Sequence, residues 1–139
     1  MTMSITPLQK TLVRRSFRKI AGKADHVAIV MYQTLFEINP DCRRLFVGDM
    51  PRQGRKFIQM IALTVSGLDA IETVIPFIQE LGKRHTGYGV TPEDYESMGQ
   101  AWLFALEKSL GADFTPPVRE AWQVLYQFIA QTAIGATLE

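Results

Sequence analysis

The stretch Glu80-Leu-Gly-Lys-Arg-His-Thr-Gly-Tyr-Gly89 (ELGKRHTGYG) carries His85, one of only two histidines in the chain. Ile78, Leu81 and His85 fall at i, i+3 and i+7, so on a helix the imidazole projects from the apolar stripe. Gly87 and Gly89 follow at once and break that helix. Upstream, Pro76 suits the first turn of the same segment, which is read as a helix from Pro76 to His85. A single imidazole on an inner helix face, closed off by glycines, is the feature that the rest of the chain has to explain.

Working outward, the apolar spacing is helical nearly everywhere. Toward the C-terminus, Thr91-Pro92-Glu93-Asp94 combines a cap, a first-turn proline and two acids at the positive helix end, opening a helix to about Leu110 that Gly111 stops. Thr115-Pro116 opens a last helix with Val118, Ala121, Trp122, Leu125 and Ile129 on one stripe. Toward the N-terminus, the irregular DAIETV precedes Pro76. Before it, Pro51 opens a helix with apolar residues at 57, 60, 61, 65 and 68. Pro40 begins a short piece, PDCRRLF. Asp25 is read as the cap of a helix to about Ile38, and Thr6-Pro7 opens a first helix with Val13, Phe17 and Ile20 that Gly22 ends. No segment alternates with period two between hairpin turns. The expectation is all-α, one domain over 1–139, with six longer helices and one short one.

Composition narrows the function classes. In 139 residues, 47% are apolar and 21% charged, ordinary proportions for a globular chain with a real core. A net charge of +1 gives no reason to expect nucleic acid or an anionic membrane as partner. Charged residues interrupt every apolar run before it reaches the roughly 20 residues of a membrane span, and the N-terminal segment has no continuous apolar stretch of secretory type. Cys42 is the single cysteine, which excludes a disulfide framework and a thiolate metal site. A cytoplasmic protein is expected. Cys42 adjoins Arg43, a setting that lowers a thiol pKa, and is read as incidental. His26, just after Asp25, is expected to be exposed.

His85 has two readings. It is a core histidine bonded to a carbonyl, or one whose cation suits a helix C-terminus. Alternatively it ligates a metal. A lone imidazole cannot hold a structural zinc, which needs about four protein ligands, but it can hold a metal that arrives with its own equatorial donors, haem iron being the common case. Gln53 sits 32 residues earlier, near the start of the helix opened by Pro51. That helix extends about 22 Å from Gln53 to Leu68 at 1.5 Å per residue, after which the chain turns back toward His85, so the two can face each other. Gln53, Phe57 and Ile61 share a face, and an amide there needs a partner or serves a ligand. Tyr32 has apolar residues at i±3 and i±4 (Ala28, Ile29, Leu35, Phe36), so its hydroxyl either bonds an internal carbonyl or meets a ligand.

These residues resemble a globin over about Pro7 to Leu138. The resemblance is greatest to bacterial single-domain, flavohaemoglobin-like globins, with some similarity to neuroglobin. Its carriers are MYQTLF with Tyr32, RRLF with Phe46, QGRKF with Gln53 and Phe57, LGKRHTGYGV with His85, and TPPVREAWQVLY in the last helix. The resemblance implies the A, B, C, E, F, G and H helices of the globin fold around one pocket for haem b. Seven residues separate Phe46 from Gln53, so the D helix is expected to be absent. His85 would be the proximal iron ligand, Phe46 the ring packed on the haem, Gln53 the distal residue, Phe57 its bulky neighbour and Tyr32 the second distal donor. Leu81, Val90, Tyr95 and Met98 would line the proximal side, and Met60, Ile61 and Tyr88 complete the contact set. Lys56 and Arg84, with Arg55, are candidates for the haem propionates; solvated surface charge is the other reading.

The implied function is haem-based binding of O2, CO and NO, with O2 held tightly through Tyr32 and Gln53. NO dioxygenation with an external reductase, or oxygen scavenging, is the expected chemistry, with Tyr32 and Gln53 as catalytic donors. The alternatives are a haem-based gas or redox sensor, an interaction module on a globin frame, and peroxide or nitrite chemistry. One departure weakens peroxidase-like chemistry: the acid that would strengthen the proximal imidazole in flavohaemoglobin-like chains is due at position 137, which is Thr137, with Glu139 two beyond.

Overall fold

The computed structural model describes residues 3–135. Its six α-helices are α1 (Pro7–Ala21), α2 (Ala24–Ile38), α3 (Met50–Ser66), α4 (Ile75–Gly87), α5 (Pro92–Leu110) and α6 (Pro116–Gly135). Short 3₁₀ segments lie at Pro40–Leu45, Leu68–Thr73 and Gly111–Asp113, and there is no strand among the described residues. The all-α expectation holds, and no helix forms between Leu45 and Met50, where a D helix would lie. Among the described residues no helix is long and apolar enough to cross a membrane.

Two helix starts follow directly from their sequence signals. Thr6 and Thr91 each accept from the backbone three residues on, while Gln9 and Asp94 reach back to the cap N–H, closing two capping boxes. Two starts differ from expectation. The cap position of α2 is Lys23 without a side-chain bond, and Asp25 lies inside the first turn, where its charge still suits the helix dipole. Helix α3 begins one residue early because Asp49 accepts from the Arg52 N–H. At the other end α3 stops at Ser66, so Leu68 belongs to the 3₁₀ segment that DAIETV forms. Helix α4 continues two residues past His85, which places the imidazole in its last turn.

The core is built where α1, α2, α5 and α6 meet. Trp102 and Trp122 are fully enclosed and pack edge to face at 5.6 Å. Trp122 donates its indole N–H to Ser16 Oγ at 2.8 Å, tying α6 to α1. The two tryptophans thus anchor the last two long helices, α5 and α6, in the core.

Helices α3 and α4 have different supports. Helix α3 rests on α2, and α4 on α6; the 3₁₀ segment between them touches both. Close approach is enforced by glycine. A Cβ at Gly54 would lie 2.8 Å from Ala28 Cβ, and one at Gly82 would lie 2.1 Å from the Ala133 carbonyl oxygen. Each helix is thereby pressed on its own neighbour, while α3 and α4 make few or no direct contacts with each other, and the space between them is taken as the candidate cleft.

Candidate functional site: a cleft between α3 and α4

His85 stands on the α4 side of this cleft. Its Nδ1 is enclosed and has no hydrogen-bond partner, while Nε2 keeps access to the surface. Burial lowers the imidazole pKa below 6.5; the Leu81 carbonyl one turn earlier opposes this, close by but outside hydrogen-bonding geometry, and the Arg84 cation adds to the lowering. A neutral ring with Nε2 free is the form that ligates a metal. The His85 carbonyl accepts from Tyr88 N at 3.0 Å and Val90 N at 3.0 Å, fixing the end of the helix.

Tyr95, from α5, stacks on His85 at 6.2 Å between centroids. Its hydroxyl is enclosed and unpartnered, and burial pushes its pKa up to about 12. Tyr126 donates to the Tyr95 carbonyl at 2.6 Å, which pins the backbone behind the imidazole. Thr137 and Glu139, the positions at issue for a proximal acid, lie outside the described residues.

Tyr32, Phe36 and Phe46 form one aromatic cluster. Phe46 meets Tyr32 at 5.0 Å and Phe36 at 5.6 Å, both edge to face. The Tyr32 hydroxyl makes no hydrogen bond among the described residues, so the internal carbonyl partner that a buried phenol usually finds is missing. Burial raises its pKa to about 12, leaving an O–H donor at any physiological pH. Gln53 is half-buried and donates through Nε2 to the Val47 carbonyl at 3.2 Å. The amide is thus latched onto the loop before α3, with its second N–H unused.

The remaining expected contacts divide by exposure. Phe46, Phe57, Met60, Leu81, Val90, Tyr95 and Met98 are half-buried, and Phe46, Phe57, Met60, Tyr95 and Met98 pack against the core. Phe57 packs edge to face on Trp102 at 5.3 Å, which joins the cleft wall to the core. The Met60 thioether lies 3.8 Å from Thr64 Oγ1. Ile61 is completely enclosed by protein, so it is core rather than cleft wall. Tyr88 is 75% exposed and turns away from any buried ligand. Lys56 and Arg84, with Arg55, are exposed and form no ion pair among the described residues, a placement suited to the carboxylates of a partly buried ring.

Sequence reasoning missed the acid that braces this site. Asp94, only 7% exposed, accepts from Cys42 Sγ at 3.2 Å, Asn39 Nδ2 at 3.3 Å and Arg44 at 3.3 Å, besides the Thr91 N–H at 2.9 Å. It clamps the 3₁₀ segment leading to Phe46 onto the start of α5, which carries Tyr95. The expected lowering of the Cys42 pKa is reversed. Burial and the bond to Asp94 push the thiol up to about 12, because the neighbouring anion outweighs the Arg44 cation. His26 is exposed, as expected.

The cleft fits haem on the chain's own chemistry. No three His, Cys, Asp or Glu side chains converge on a metal position among the described residues. A metal at His85 would therefore have to bring its own donors, as an iron porphyrin does, and the half-buried apolar side chains near His85 and on α3 are chemically suited to such a ring.

Residues 29–133 match the Globin family, and the chain belongs to it. It is similar to "Neuroglobin-2" of Oncorhynchus mykiss, at 30% identity over 90% of this chain and 87% of that protein. It is also similar to "Neuroglobin" of Danio rerio, at 29% identity over 86% of this chain and 84% of that protein. Membership carries haem-based binding of diatomic gases. Both of these relatives are named neuroglobins, and they lend no support to the bacterial, flavohaemoglobin-like side of the resemblance.

Proposed function

We propose that this globin holds haem b through His85 Nε2, binds O2 tightly and oxidises NO to nitrate. The observation that carries the reading is His85 itself, with Nδ1 enclosed, Nε2 accessible and the ring kept neutral by burial. Haem supplies a redox-active iron with one open position for a gas.

The chain supplies the rest. Phe46, Phe57, Leu81 and Met98 would give apolar walls that exclude water, while Lys56 and Arg84 would pair with the propionates. Tyr32 would present, on the distal side, a phenol that no hydrogen bond among the described residues claims. Gln53 presents its spare N–H, or both N–H groups once it leaves Val47. O2 that takes up negative charge is stabilised by such donors at about 1.5–3 kcal/mol each, and 1.4 kcal/mol corresponds to about tenfold in affinity. CO accumulates less charge and gains less. Slow oxygen release suits chemistry or scavenging better than transport.

The reaction combines one NO with one O2 and one electron to give nitrate. The electron has to come from a separate reductase. A cytoplasmic setting belongs to this reading, in keeping with a chain whose single cysteine, Cys42, is buried and takes part in no disulfide. The test is the oxygen dissociation rate. Tyr32→Phe should raise it about 10- to 100-fold, the loss of one charge-enhanced bond. Gln53→Leu should raise it less, because the Val47 bond competes for the amide. Unchanged rates in both variants would remove the distal donors from the reading.

A further inference from the structure

Outside the cleft, a groove of about 420 Å³ lies where α2, the start of α3 and the 3₁₀ segment before Phe46 come together. Its walls are Ala28, Ile29, Tyr32, Phe36 and Met50, with Arg43 stacked over Phe36 at 4.8 Å at one end. Asp25, Gln33 and Pro51 complete the lining, so the groove is open to the surface and mostly but not wholly apolar. None of Gln53, Phe57 or His85 borders it.

Tyr32 belongs to both spaces. Its ring lines the groove, and the same ring touches Phe46 at 5.0 Å on the inner side. Gly54 presents bare backbone here, so that a Cβ would lie only 3.6 Å from Tyr32 Cε2, and no α3 side chain at this point doubles the wall. The phenol has no hydrogen bond to break before it swings. By contrast, Gln53, at the cleft's own mouth, is held to Val47. A small apolar molecule meets a latched polar group on one path and an unlatched ring on the other.

We propose that this groove is a side entrance for diatomic gases, with the Tyr32 ring as its door. Resting on the haem reading above, it adds the route by which the gas arrives. A gas needs no polar partner in transit, and dry apolar cavities take up xenon. When Tyr32 swings back inward, the ring that admitted the gas returns its hydroxyl to the inner space.

The test uses the haem-loaded protein. Ile29 is 52% exposed on the groove, and Ile38, 46% exposed, lies off it. Ile29→Trp should slow bimolecular CO rebinding after flash photolysis by about threefold or more, since a narrowed entrance acts on association. Ile38→Trp should leave it alone. Independently, xenon under pressure should occupy the groove in the native protein and be displaced in Ile29→Trp. An Ile29→Trp protein that rebinds CO at the native rate overturns the entrance, even with xenon in the groove. A protein that takes up no haem overturns the underlying reading instead, and xenon occupancy tells the two failures apart.

Discussion

Gly82→Ala places a methyl group on the α4 face that meets α6. The added Cβ would sit 2.1 Å from the Ala133 carbonyl oxygen and 2.7 Å from its carbon. An ordinary contact is about 1 Å longer, and a backbone carbonyl inside a helix cannot rotate away, so α4 must lift. Intrinsic propensity opposes this, since alanine favours a helix interior by about 1 kcal/mol over glycine. Overpacking of a tight contact costs about 1–3 kcal/mol, and relief is poor here because the obstacle is backbone. A net loss of roughly 0–2 kcal/mol follows, toward the upper end because the obstacle is backbone, or a melting temperature lower by up to about 10 °C for a chain of this size. His85 is three residues further along the same helix, so haem affinity should fall with stability. Gly87→Ala is the control, since nothing lies within 4 Å of the Cβ it would add. Thermal melts and hemin titrations of both variants decide the matter. A Gly82→Ala protein stabilised like Gly87→Ala, with native haem affinity, would refute the claim that this contact positions His85.

Two further outcomes follow from the buried polar groups. Ser16→Ala leaves the Trp122 indole N–H without its partner inside the core; it should cost about 1–3 kcal/mol, read by denaturant titration. For Asp94, burial alone would raise the carboxyl pKa, but the bonds from Thr91 and Cys42 and the Arg44 cation prevail and hold it below 3.8. A depressed carboxylate contributes fully above its unfolded pKa and loses that contribution as pH falls through the folded value. The native protein should therefore weaken below about pH 5, whereas Asp94→Asn should be less stable at pH 7 and show a flatter acid limb. Equal acid limbs in the two proteins would count against the clamp.

Local signals were legible in the sequence wherever one side chain acts on backbone three or four residues away. The Thr6 and Thr91 capping boxes, the prolines at helix starts and the inner stripe holding His85 are of this kind. The short link between Phe46 and Gln53 also read correctly, because a chain that short leaves no room for another helix. What escaped depends on contacts distant in the chain. Cys42 adjoins Arg43 in sequence, yet Asp94, 52 residues later, sets its pKa. Ile61 shares a face with Gln53 and Phe57, and only the packing of the other helices decides that it is enclosed. Tyr88 follows His85 by three residues but falls just past the end of α4, where the turn directs its ring outward. The groove behind Tyr32 has no sequence signature at all, since two helices and a 3₁₀ segment build it together.

The most direct measurement is the absorption spectrum of hemin-loaded, reduced protein with and without the imidazole at 85. The native chain should give a Soret band of a five- or six-coordinate ferrous haem; His85→Gly should shift or lose it, and added free imidazole should restore it. An unshifted band in His85→Gly, or a native chain that leaves hemin free in solution, would contradict His85 as the iron ligand.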